Sequence, residues 1–559
     1  MGKLFREFTE EKLDEIRTHP YYKPALDGIR ARAEKFLATD PPRIKFSQIH
    51  LYATTGNRSV FQNVYSNYQQ RMEDYFFLYL VDQDEKYLEP LADILWNICD
   101  FESWSIPAHV LEHLDPERRI RNLDLCSTIL AARIAEIIYY IGDKLPELVT
   151  KRAKYEVRYR LIESYKMYTE KEFWWMKCEN NWASVCIGAT LTAFLYAAEK
   201  EEIDEQIPRM IETAKGYLRG FDDEGCCLEG YTYWSYGFSY FCMFASMLRD
   251  YTDGEIDMFK DKKVHEIALF QQNMSLTNDR SISFADCGNA GFYPANWLSQ
   301  FLKNEYPDME IPSIPQTVGG SALRYFFWQK PEYAESEMKP KSKIFNEAQW
   351  FISRRPKYTM ACKAGHNSEP HNHNDIGSFV VAKNGQATFT DPGGGEYTRQ
   401  YFSSERYTIL ACASRGHSVP LINGAEQVTG RTKATIFESE LDKRYSFNME
   451  QAYAVSTLTS LKRGFTCDDD GFTLTDEYDF TEAPESIVER FVSYVKPEQS
   501  EEGKIVCGDS VMTYDPAVFD YELNSEILIR GNGTGPTVWM MDMRMKKPEK
   551  SFKASFRFE

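Results

Sequence analysis

The chain has 559 residues, of which 43% are hydrophobic and 14% aromatic, so it can bury a large core. Charged residues make up 27% and form no long biased segment, which excludes a disordered protein. The formal net charge of −19 argues against a nucleic-acid binder, because such a protein needs a basic surface to neutralise phosphates.

The targeting and cysteine signals are those of a protein in a reducing compartment. The start, MGKLFREFTEEKLDEIRTHP, carries charges throughout and has no apolar core of a secretory signal. No run of about 18 apolar residues is present, so no membrane span is predicted. The 12 cysteines are scattered singly except for Cys226 and Cys227, which is typical of free thiols. A cytoplasmic protein is predicted, although a secreted or periplasmic protein whose signal has been removed would look the same.

The first part of the chain, residues 1–335, is predicted to be a helical domain. Apolar residues recur there at i, i+3, i+4 and i+7, with short Pro, Gly or Asp breaks between segments. The clearest segments are EEKLDEIRTHPYYKPALDGIRARAEKFLA, YLEPLADILWNIC, LDLCSTILAARIAEIIYYIG and DEQIPRMIETAKGYLRGF. Many amphipathic helices in series, without strands between them, indicate a bundle, a solenoid or a closed α/α toroid.

Aromatic and amide side chains collect at two loop-to-helix transitions of this helical domain. The segment ENNWASVCIGATL places Asn180 and Asn181 just before a helix, and LEGYTYWSYGF places Glu229 and several tyrosines before another. Rings stack on sugar faces and amides bind hydroxyls or carboxylates, so a sugar-binding cleft is one interpretation and ordinary packing is the other. The candidate substrate-binding residues are Asn180, Trp182, Glu229, Trp104, His109 and Arg406.

The second part of the chain, residues 343–559, is predicted to be an antiparallel β-sandwich. Its period is two in WFISRR, YTMACKAG, SFVVAKNGQATFTD, GFTLTDEYDF, SIVERFVSYVK, EILIRGNG and TVWMMDMRM. NGQ and DDG are plausible hairpin turns, and many short strands without helices between them favour a sandwich. The stretch KPEYAESEMKPKSKI, which contains prolines and alternating charges, is the predicted linker.

Histidines and carboxylates cluster at the start of this strand-rich part, in EPHNHNDIGSF. On an extended strand, Glu369, His371, His373 and Asp375 would share one face, with Asn372 and Asn374 opposite. Asp391 and His417 follow downstream. Two histidines and a carboxylate suit a Zn²⁺-type ion, although a His-x-His pair on a strand is also a common surface feature.

PHNHNDIGSF, followed by FTDPGGGEY and SRGHSV, resembles the heparinase II/III-like group of polysaccharide lyases, which includes heparin, heparan sulfate and alginate lyases. NNW and EGYTYW in the helical part add to the resemblance, which covers nearly the whole chain in the same order. It implies an N-terminal incomplete (α/α) toroid followed by a C-terminal antiparallel β-sandwich, with the substrate cleft between them.

The resemblance also implies roles for particular residues. Asn181 would help to neutralise a uronate carboxylate, and His371 would be the partner base or acid. Tyr233 would act at the leaving-group oxygen or as the base, with Tyr236 as the alternative. One Zn²⁺ ion, largely structural, would be held by His373, Asp391 and His417, with no organic cofactor. Several members of the group carry a histidine directly after the asparagine, where this chain has Trp182.

The function implied is β-elimination of a uronic-acid-containing polysaccharide or oligosaccharide. Glycosaminoglycans such as hyaluronan, chondroitin or heparan sulfate are the first expectation, and alginate the second. The elimination removes the proton at C5 of the uronate and expels the 4-linked oxygen. A tyrosine can both take and give a proton if the cleft lowers its pKa. The acidity of the chain counts mildly against a very highly sulfated substrate, unless basic residues gather in the cleft.

Two other functions stay open from the sequence. A glycoside hydrolase acting on unsaturated uronides would need two carboxylates about 5–10 Å apart, for which Glu229 and Asp286 are conceivable although nothing pairs them. A non-catalytic glycan-binding protein with a structural metal is the other. Neither nucleic acid nor a membrane is an expected partner, and the sequence does not decide whether the chain forms a homo-oligomer.

Overall fold

A computed structural model of the chain describes residues 4–110, 112–288, 296–311, 322–333, 338–530 and 533–559. Helices occupy the described chain up to Trp328. Their bounds are α1 Glu10–Thr18, α2 Lys23–Leu37, α3 Phe46–Thr55, α4 Ser59–Asp82, α5 Leu88–Cys99, α6 Pro116–Ile120, α7 Leu125–Ile141, α8 Glu147–Val157, α9 Glu163–Met167, α10 Asn181–Ala197, α11 Lys200–Arg219, α12 Tyr231–Tyr251, α13 Lys262–Asn273, α14 Asn296–Glu305 and α15 Ala322–Trp328.

The helix α10 lies at the centre of the helical part. It packs against α7, α11 and α12, and nearly all of its residues are buried. Such a helix needs apolar or small residues on every side, which explains its run VCIGATLTAFL. The side chain of Asn180 accepts a hydrogen bond from the Trp182 amide and so caps the helix. The cap fixes the point at which the chain enters the central helix.

Strands occupy the described chain from Lys343 onward. Their bounds are β1 Lys343–Phe345, β2 Trp350–Arg354, β3 Tyr358–Lys363, β4 Phe379–Lys383, β5 Gln386–Phe389, β6 Leu421–Ile422, β7 Thr435–Glu440, β8 Arg444–Asn448, β9 Leu458–Cys467, β10 Phe472–Phe480, β11 Ile487–Ser493, β12 Glu498–Glu501, β13 Lys504–Cys507, β14 Ser510–Thr513, β15 Phe519–Ile527, β16 Thr537–Met545 and β17 Ser551–Phe558.

These strands form three antiparallel sheets. One has the order β1-β2-β3-β4-β5, the second β12-β13-β14-β17-β10-β9-β8-β7, and the third β15-β16-β11-β6. The first sheet joins the two parts of the molecule, because its faces belong to different cores. Trp350 and Val380 pack into the core of the helical part, whereas their neighbours Phe351 and Phe379 pack into the core of the strand-rich part. The alternation follows from the two-residue period of a strand.

The predicted order of a helical domain followed by antiparallel sheets is confirmed, but one local prediction is wrong. The segment EPHNHNDIGS is a loop between β3 and β4 and not an extended strand, so its side chains do not simply alternate. Of EILIRGNG, Glu526 and Ile527 lie in β15, the neighbouring residues 528–530 lie outside that strand, and residues 531–532 are outside the described residues. The NGQ turn joins β4 to β5 and the DDG turn joins β9 to β10, as the turn residues indicate.

All 12 cysteines are free thiols, and most of them are buried. Within the described part of the chain, no helix has the length and apolar character needed to cross a membrane.

Candidate active site

A cavity of about 610 Å³ opens where the helical part meets the strand-rich part. Six residues predicted from the sequence line it: His109, Asn181, Trp182, Tyr233, Tyr236 and His371. Further lining residues come from both parts of the chain, among them Arg58, Asp286, Tyr397 and Arg530. The cavity is therefore a shared site that neither part forms alone.

Two glycines allow segments on the helical side of the cavity to pack closely against each other. Gly230 precedes α12 with a φ of 90°, and a Cβ atom there would lie 2.5 Å from the Phe284 carbonyl oxygen. Only glycine tolerates both conditions, so the turn that begins α12 packs directly on the segment carrying Asp286. Gly237 lies about two turns further along the chain, where a Cβ would be 3.0 Å from the Cβ of Asn181. Tyr233 and Asn181 consequently begin two tightly packed helices.

His371 reaches the cavity from the loop between β3 and β4. Its φ is +54°, a left-handed conformation that is unusual for a non-glycine residue and is often found at functional sites. Its Nδ1 lies 2.5 Å from Asp286 Oδ2, and its ring stacks on the ring of Tyr233 with centroids 4.1 Å apart. With Nδ1–H donated to Asp286, the ring presents an unprotonated Nε2 on its other side.

Asp286 is the centre of a buried hydrogen-bond network. Besides His371, it accepts hydrogen bonds from His373 Nε2 at 2.9 Å and Tyr397 Oη at 3.1 Å. Tyr401 and the guanidinium of Arg406 complete the set. Burial alone would raise the pKa of Asp286, but the hydrogen bonds from His371 and His373 hold it well below its usual value. The residue is therefore a fixed negative charge.

The hydroxyl of Tyr233 meets a second tyrosine from the strand-rich part. Tyr233 Oη lies 2.5 Å from Tyr397 Oη, which in turn donates to Asp286. Because the Tyr397 hydroxyl donates its proton to Asp286, it accepts a hydrogen bond from the Tyr233 hydroxyl. Burial and the charge of Asp286 raise the pKa of Tyr233. The expectation of a lowered pKa is thus wrong, because the nearby charge is a carboxylate, and the phenol is held in its protonated form.

Tyr231 and Tyr236 lie on the same helix in different surroundings. Tyr231 is fully buried against Trp234. Tyr236 lines the cavity as Tyr233 does, since both share one helix face. Burial raises the pKa of Tyr236 well above its usual value, and its ring packs edge-on against Tyr240 inside the helical part. The Tyr233 hydroxyl is joined through Tyr397 to the Asp286 network.

Glu229 lies next to His371 and outside the cavity lining. Its Oε1 is 3.4 Å from His371 Nε2, and only 7% of the residue is exposed. Burial raises the pKa of Glu229, while His371 lowers it and Asp286 raises it further.

The predicted metal ligands His373, Asp391 and His417 come together behind the cavity. One donor atom of each lies within 4.8 Å of the others, and all three side chains are fully buried. His373 also has Asp286 and Cys412 close enough to form a second possible ligand group. That second group is a poorer ligand set, because the oxygens of Asp286 are already taken by five donors.

The hydrogen bonds of the two histidines suit a cation between them and Asp391. His417 Nε2 lies 2.8 Å from the Ala411 carbonyl oxygen, so it carries the proton, and an unprotonated Nδ1 then faces Asp391 Oδ2 at 2.9 Å. His373 uses Nε2 on Asp286, and its buried Nδ1 has no hydrogen-bond partner among the described residues. Outer N–H groups held in this way are typical of metal-binding histidines.

The electrostatic surroundings of His373 also favour a positive charge in this pocket. Burial alone would lower the pKa of this ring, but the neighbouring Cys412 and Asp286 raise it to about 10. The pocket therefore attracts positive charge, either as a proton or as a metal ion.

Four predicted substrate-binding residues do not line the cavity, and one of them is Glu229, described above. Trp104 is fully buried and donates its indole N–H to the Ile98 carbonyl, so it is a core residue and the prediction is corrected. Asn180 is the helix cap described above. Arg406 is mostly buried and donates to Asp286 and to the Asn372 carbonyl, so it holds the network together.

Sequence reasoning does not assign four of the other cavity residues to a lyase site, namely Tyr397, Asp286, Arg58 and Arg530. Tyr397 has a local signal, because it ends the FTDPGGGEY motif. Gly393 of this motif packs closely on the segment that carries Asp286, since a Cβ there would lie 2.3 Å from the Cys287 carbonyl oxygen. The sequence suggests Asp286 only as a hydrolase carboxylate. Arg58 and Arg530 carry no local signal, since each faces the cavity only after the two parts have packed.

Comparisons with known proteins agree with this geometry. Residues 337–491 match the family model "Heparinase II/III-like, C-terminal", which confirms the resemblance seen in the motifs. Comparison with curated protein sequences gives no match.

The fold is that of heparinase-type lyases, an α/α toroid with a β-sandwich. A structure of heparinase III superimposes with a TM-score of 0.64 at 12% identity, covering 98% of this chain and 91% of that one. A heparan sulfate lyase of Pedobacter heparinus gives 0.56 at 13% identity, with 98% and 90% covered. A chondroitin AC lyase of Streptomyces coelicolor A3, solved with chondroitin sulphate, gives 0.56 at 9% identity, with 98% and 81% covered.

Proposed function

We propose that the protein is a polysaccharide lyase that cleaves a uronic-acid-containing glycan by β-elimination. One observation carries the proposal: the Tyr233 hydroxyl from the helical part and the His371 ring from the strand-rich part meet in one cavity, both bound into the Asp286 network. A base and an acid positioned side by side are what an elimination needs, because one proton leaves C5 while another is given to the departing oxygen.

His371 is assigned the role of base. Its Nδ1 is fixed by Asp286, so the lone pair of Nε2 is free to take the C5 proton. Asp286 stabilises the imidazolium that forms, in the way that the aspartate of a serine-protease triad stabilises its histidine. The stacking of the ring on Tyr233 holds it in place. Base catalysis of this kind contributes on the order of 10²–10⁴-fold.

Tyr233 is assigned the role of acid. A raised pKa keeps the phenol protonated, as a proton donor to the leaving oxygen must be. The proton that it gives is replaced from Tyr397, whose hydroxyl lies 2.5 Å away, or from water in the cavity. The C5 proton ends on His371 and the electron pair of the C5–H bond forms the new C4–C5 double bond. The C4–O bond breaks, and its oxygen leaves with the proton from Tyr233.

Asn181 is assigned to the uronate carboxylate. Negative charge builds on this group as the C5 proton leaves, so neutral hydrogen-bond donors lower the barrier. Asn181 lines the cavity at the start of α10. Glu229 lies outside the cavity lining and 3.4 Å from His371 Nε2, so its proposed role is to position His371.

One Zn²⁺ ion is proposed at His373, Asp391 and His417. The ligand types fit zinc, and the partnerless Nδ1 of His373 and the Nδ1 of His417 facing a carboxylate support it. The ion would supply a fixed positive charge that organises the loop bearing His371. No step of the elimination requires it to contact the sugar.

Glycosaminoglycans are the proposed substrate class, with alginate second. The similar structures include lyases named for heparan sulfate and chondroitin, and the cavity presents Arg58 and Arg530 to an acidic sugar. A hydrolase is disfavoured by Asp286, whose carboxylate is fully buried and already accepts hydrogen bonds from several donors, so it cannot act on a glycosidic bond.

Incubation with a panel of uronate glycans tests the proposal. A lyase creates an unsaturated uronate that absorbs ultraviolet light, and absorbance should rise together with new reducing ends. Reducing ends without the chromophore would mean hydrolysis, and binding without cleavage would mean a lectin. Either outcome would refute the proposed function.

A further inference from the structure

Arg58 is a cavity residue whose charge is not neutralised. It lies just before α4 and lines the cavity. Its Nε donates to Gln62 Oε1 at 3.0 Å, and its Nη2 lies 3.3 Å from His109 Nε2. Within the described ranges, Arg58 forms no ion pair with a carboxylate, in contrast to Arg406, which is bound to Asp286. Both of the contacts that hold Arg58 are with neutral groups, so the positive charge remains available to a ligand.

The buried Asp124 fixes the orientation of His109, which contacts Arg58. His109 Nδ1 lies 2.8 Å from Asp124 Oδ2, and the side chain of Asp124 is 2% exposed. Because a carboxylate can only accept, Nδ1 carries the proton and Nε2 is left to accept from Arg58. Asp124 is itself fixed as the cap of α7, accepting from the Ser127 amide at 2.7 Å. Asp124 and His109 thus form a rigid support for one guanidinium.

The same contacts argue against a metal ion at this place. His109, Asp124 and Cys126 have ligand atoms close enough to hold one. The Arg58 guanidinium at His109 Nε2 would repel a cation, however, and burial raises the pKa of Cys126 well above its usual value, so the thiol stays protonated. The local charge suits an anion.

Trp182 provides an aromatic ring in the same cavity, packed against the histidine that contacts Arg58. Its ring lies 4.8 Å from the ring of His109 and 4.9 Å from that of Trp174, and it lines the cavity. An aromatic ring and a guanidinium in one cavity can together recognise an acidic sugar. The ring contacts the pyranose, and the guanidinium binds its anionic substituent. Arg58 is also close enough to Tyr233 to lower its pKa slightly against the larger effects of burial and Asp286.

We infer that Arg58, positioned by Asp124 and His109, binds an anionic substituent, either a carboxylate or a sulfate, of a sugar next to the bond that is cleaved. Arg58 is the binding residue, and Asp124 and His109 are positioning residues. The inference rests on the proposed function for the identity of the sugar. It explains how a chain with a net charge of −19 can present a local positive surface to a polyanion.

Affinity of the full-length protein for size-defined uronate oligosaccharides, measured by titration calorimetry, tests the inference. Two probes are used: an unsulfated uronate–hexosamine hexasaccharide and its sulfated counterpart. Arg58→Gln should weaken binding by about 10-fold or more, because a hydrogen-bonded charge pair is lost. Arg544→Gln is the matched control, since it removes the same charge from an exposed arginine of β16. Equal loss on both probes identifies a carboxylate, and loss on the sulfated probe alone identifies a sulfate.

The positioning role has its own readout. His109→Phe keeps a ring against Trp182 but removes both nitrogens, and it should weaken binding several-fold. In the Arg58→Gln background the same change should have no further effect on affinity, because His109 acts through Arg58. An additive loss would overturn the positioning role. If Arg58→Gln does not fold, the affinity of His109→Phe decides, and an unchanged value overturns the inference.

The outcomes separate this inference from the proposed function. Cleavage by the native protein together with unchanged affinity in Arg58→Gln overturns the inference and leaves the lyase intact. Binding that is lost in Arg58→Gln, with no unsaturated product from the native protein, supports the anion site and refutes the lyase. In an active lyase, Arg58→Gln should raise KM about as much as Kd while kcat changes by less than about 3-fold.

Discussion

The cavity contains two aspartate–histidine pairs built in nearly the same way. On one wall His371 Nδ1 lies 2.5 Å from Asp286, and on the other His109 Nδ1 lies 2.8 Å from Asp124. Both aspartates are buried, and both fix the tautomer of their histidine. The pairs differ in what Nε2 faces. The ring of His371 stacks on Tyr233, and its Nε2 lies 3.4 Å from Glu229 Oε1. Nε2 of His109 instead faces the guanidinium of Arg58.

This difference shows that a pair alone does not define a catalytic base. The neighbour of Nε2 decides whether the lone pair is free to take a proton or is occupied by a donor. In the proposed mechanism His371 is the base, because no hydrogen-bond donor among the described residues holds its Nε2, and the neighbouring Glu229 oxygen is 3.4 Å away. His109 is occupied by Arg58 and so acts as a support. Substitutions at the two aspartates should therefore have different kinetic effects.

Asp286→Asn should have the largest effect. An amide in place of the carboxylate would face several donors with an NH₂ group of its own and would favour the wrong tautomer of His371. A loss in kcat of about 10⁴-fold is expected, as for the equivalent change in a serine-protease triad. Steady-state kinetics gives the value, with thermal unfolding as a check on folding. Activity within 10-fold of the native value in a folded variant would refute the role of Asp286.

Tyr233→Phe should lower kcat by at least about 10²-fold while KM barely changes, because the hydroxyl acts only in the transition state. Tyr236→Phe is the matched control on the same helix face and should keep most of its activity, since its ring packs against Tyr240 away from the Asp286 network. Initial rates of chromophore formation compare the two variants. A normal rate in Tyr233→Phe with a dead Tyr236→Phe would exchange their roles.

His373→Ala should abolish binding of about one zinc-like ion per chain. Because the energy of ion binding contributes to folding, the Tm should also fall by on the order of 5 °C. Metal analysis and thermal unfolding of the native protein and the variant measure both. Full occupancy in the variant, or none in the native protein, would contradict the assignment. His109→Phe serves as a control histidine substitution that should leave the metal content unchanged.

Asp124→Asn should have the smallest effect and sharpens the comparison most. Asparagine caps a helix as well as aspartate does, so α7 should be preserved. Its NH₂ would donate to His109 Nδ1 and turn Nε2–H toward Arg58, which misplaces the guanidinium. KM should rise several-fold while kcat stays within about 3-fold. A loss of kcat comparable to that of Asp286→Asn would remove the distinction between the two pairs.

The sequence predicts those parts of the molecule that depend on local pattern. Helical periodicity, the Asn180 cap and the turn residues of NGQ and DDG are local, and each appears in the structure. His373, Asp391 and His417 could be predicted as ligands because their residue types are so restricted, and their donor atoms do come together.

The rest depends on contacts between distant residues. Tyr233 and Tyr397 are 164 residues apart, and His371 and Asp286 are 85 apart. No periodicity reports such pairs, so Asp286 was not recognised as the centre of the site. The strand expected at PHNHND fails for a related reason. Its side chains satisfy partners in several directions, including Asp286 and Lys363, which a pleated strand does not allow.

The division of labour between His371 and Tyr233 is tested most directly by the hydrogen at C5 of uncleaved substrate in D₂O. With Tyr233→Phe, deuterium should appear at C5, because His371 can still remove and return the proton although the leaving oxygen is not protonated. With His371→Ala, no deuterium should appear. Mass spectrometry of the recovered oligosaccharide gives the result. Exchange by His371→Ala but not by Tyr233→Phe would contradict the assignment of His371 as the base.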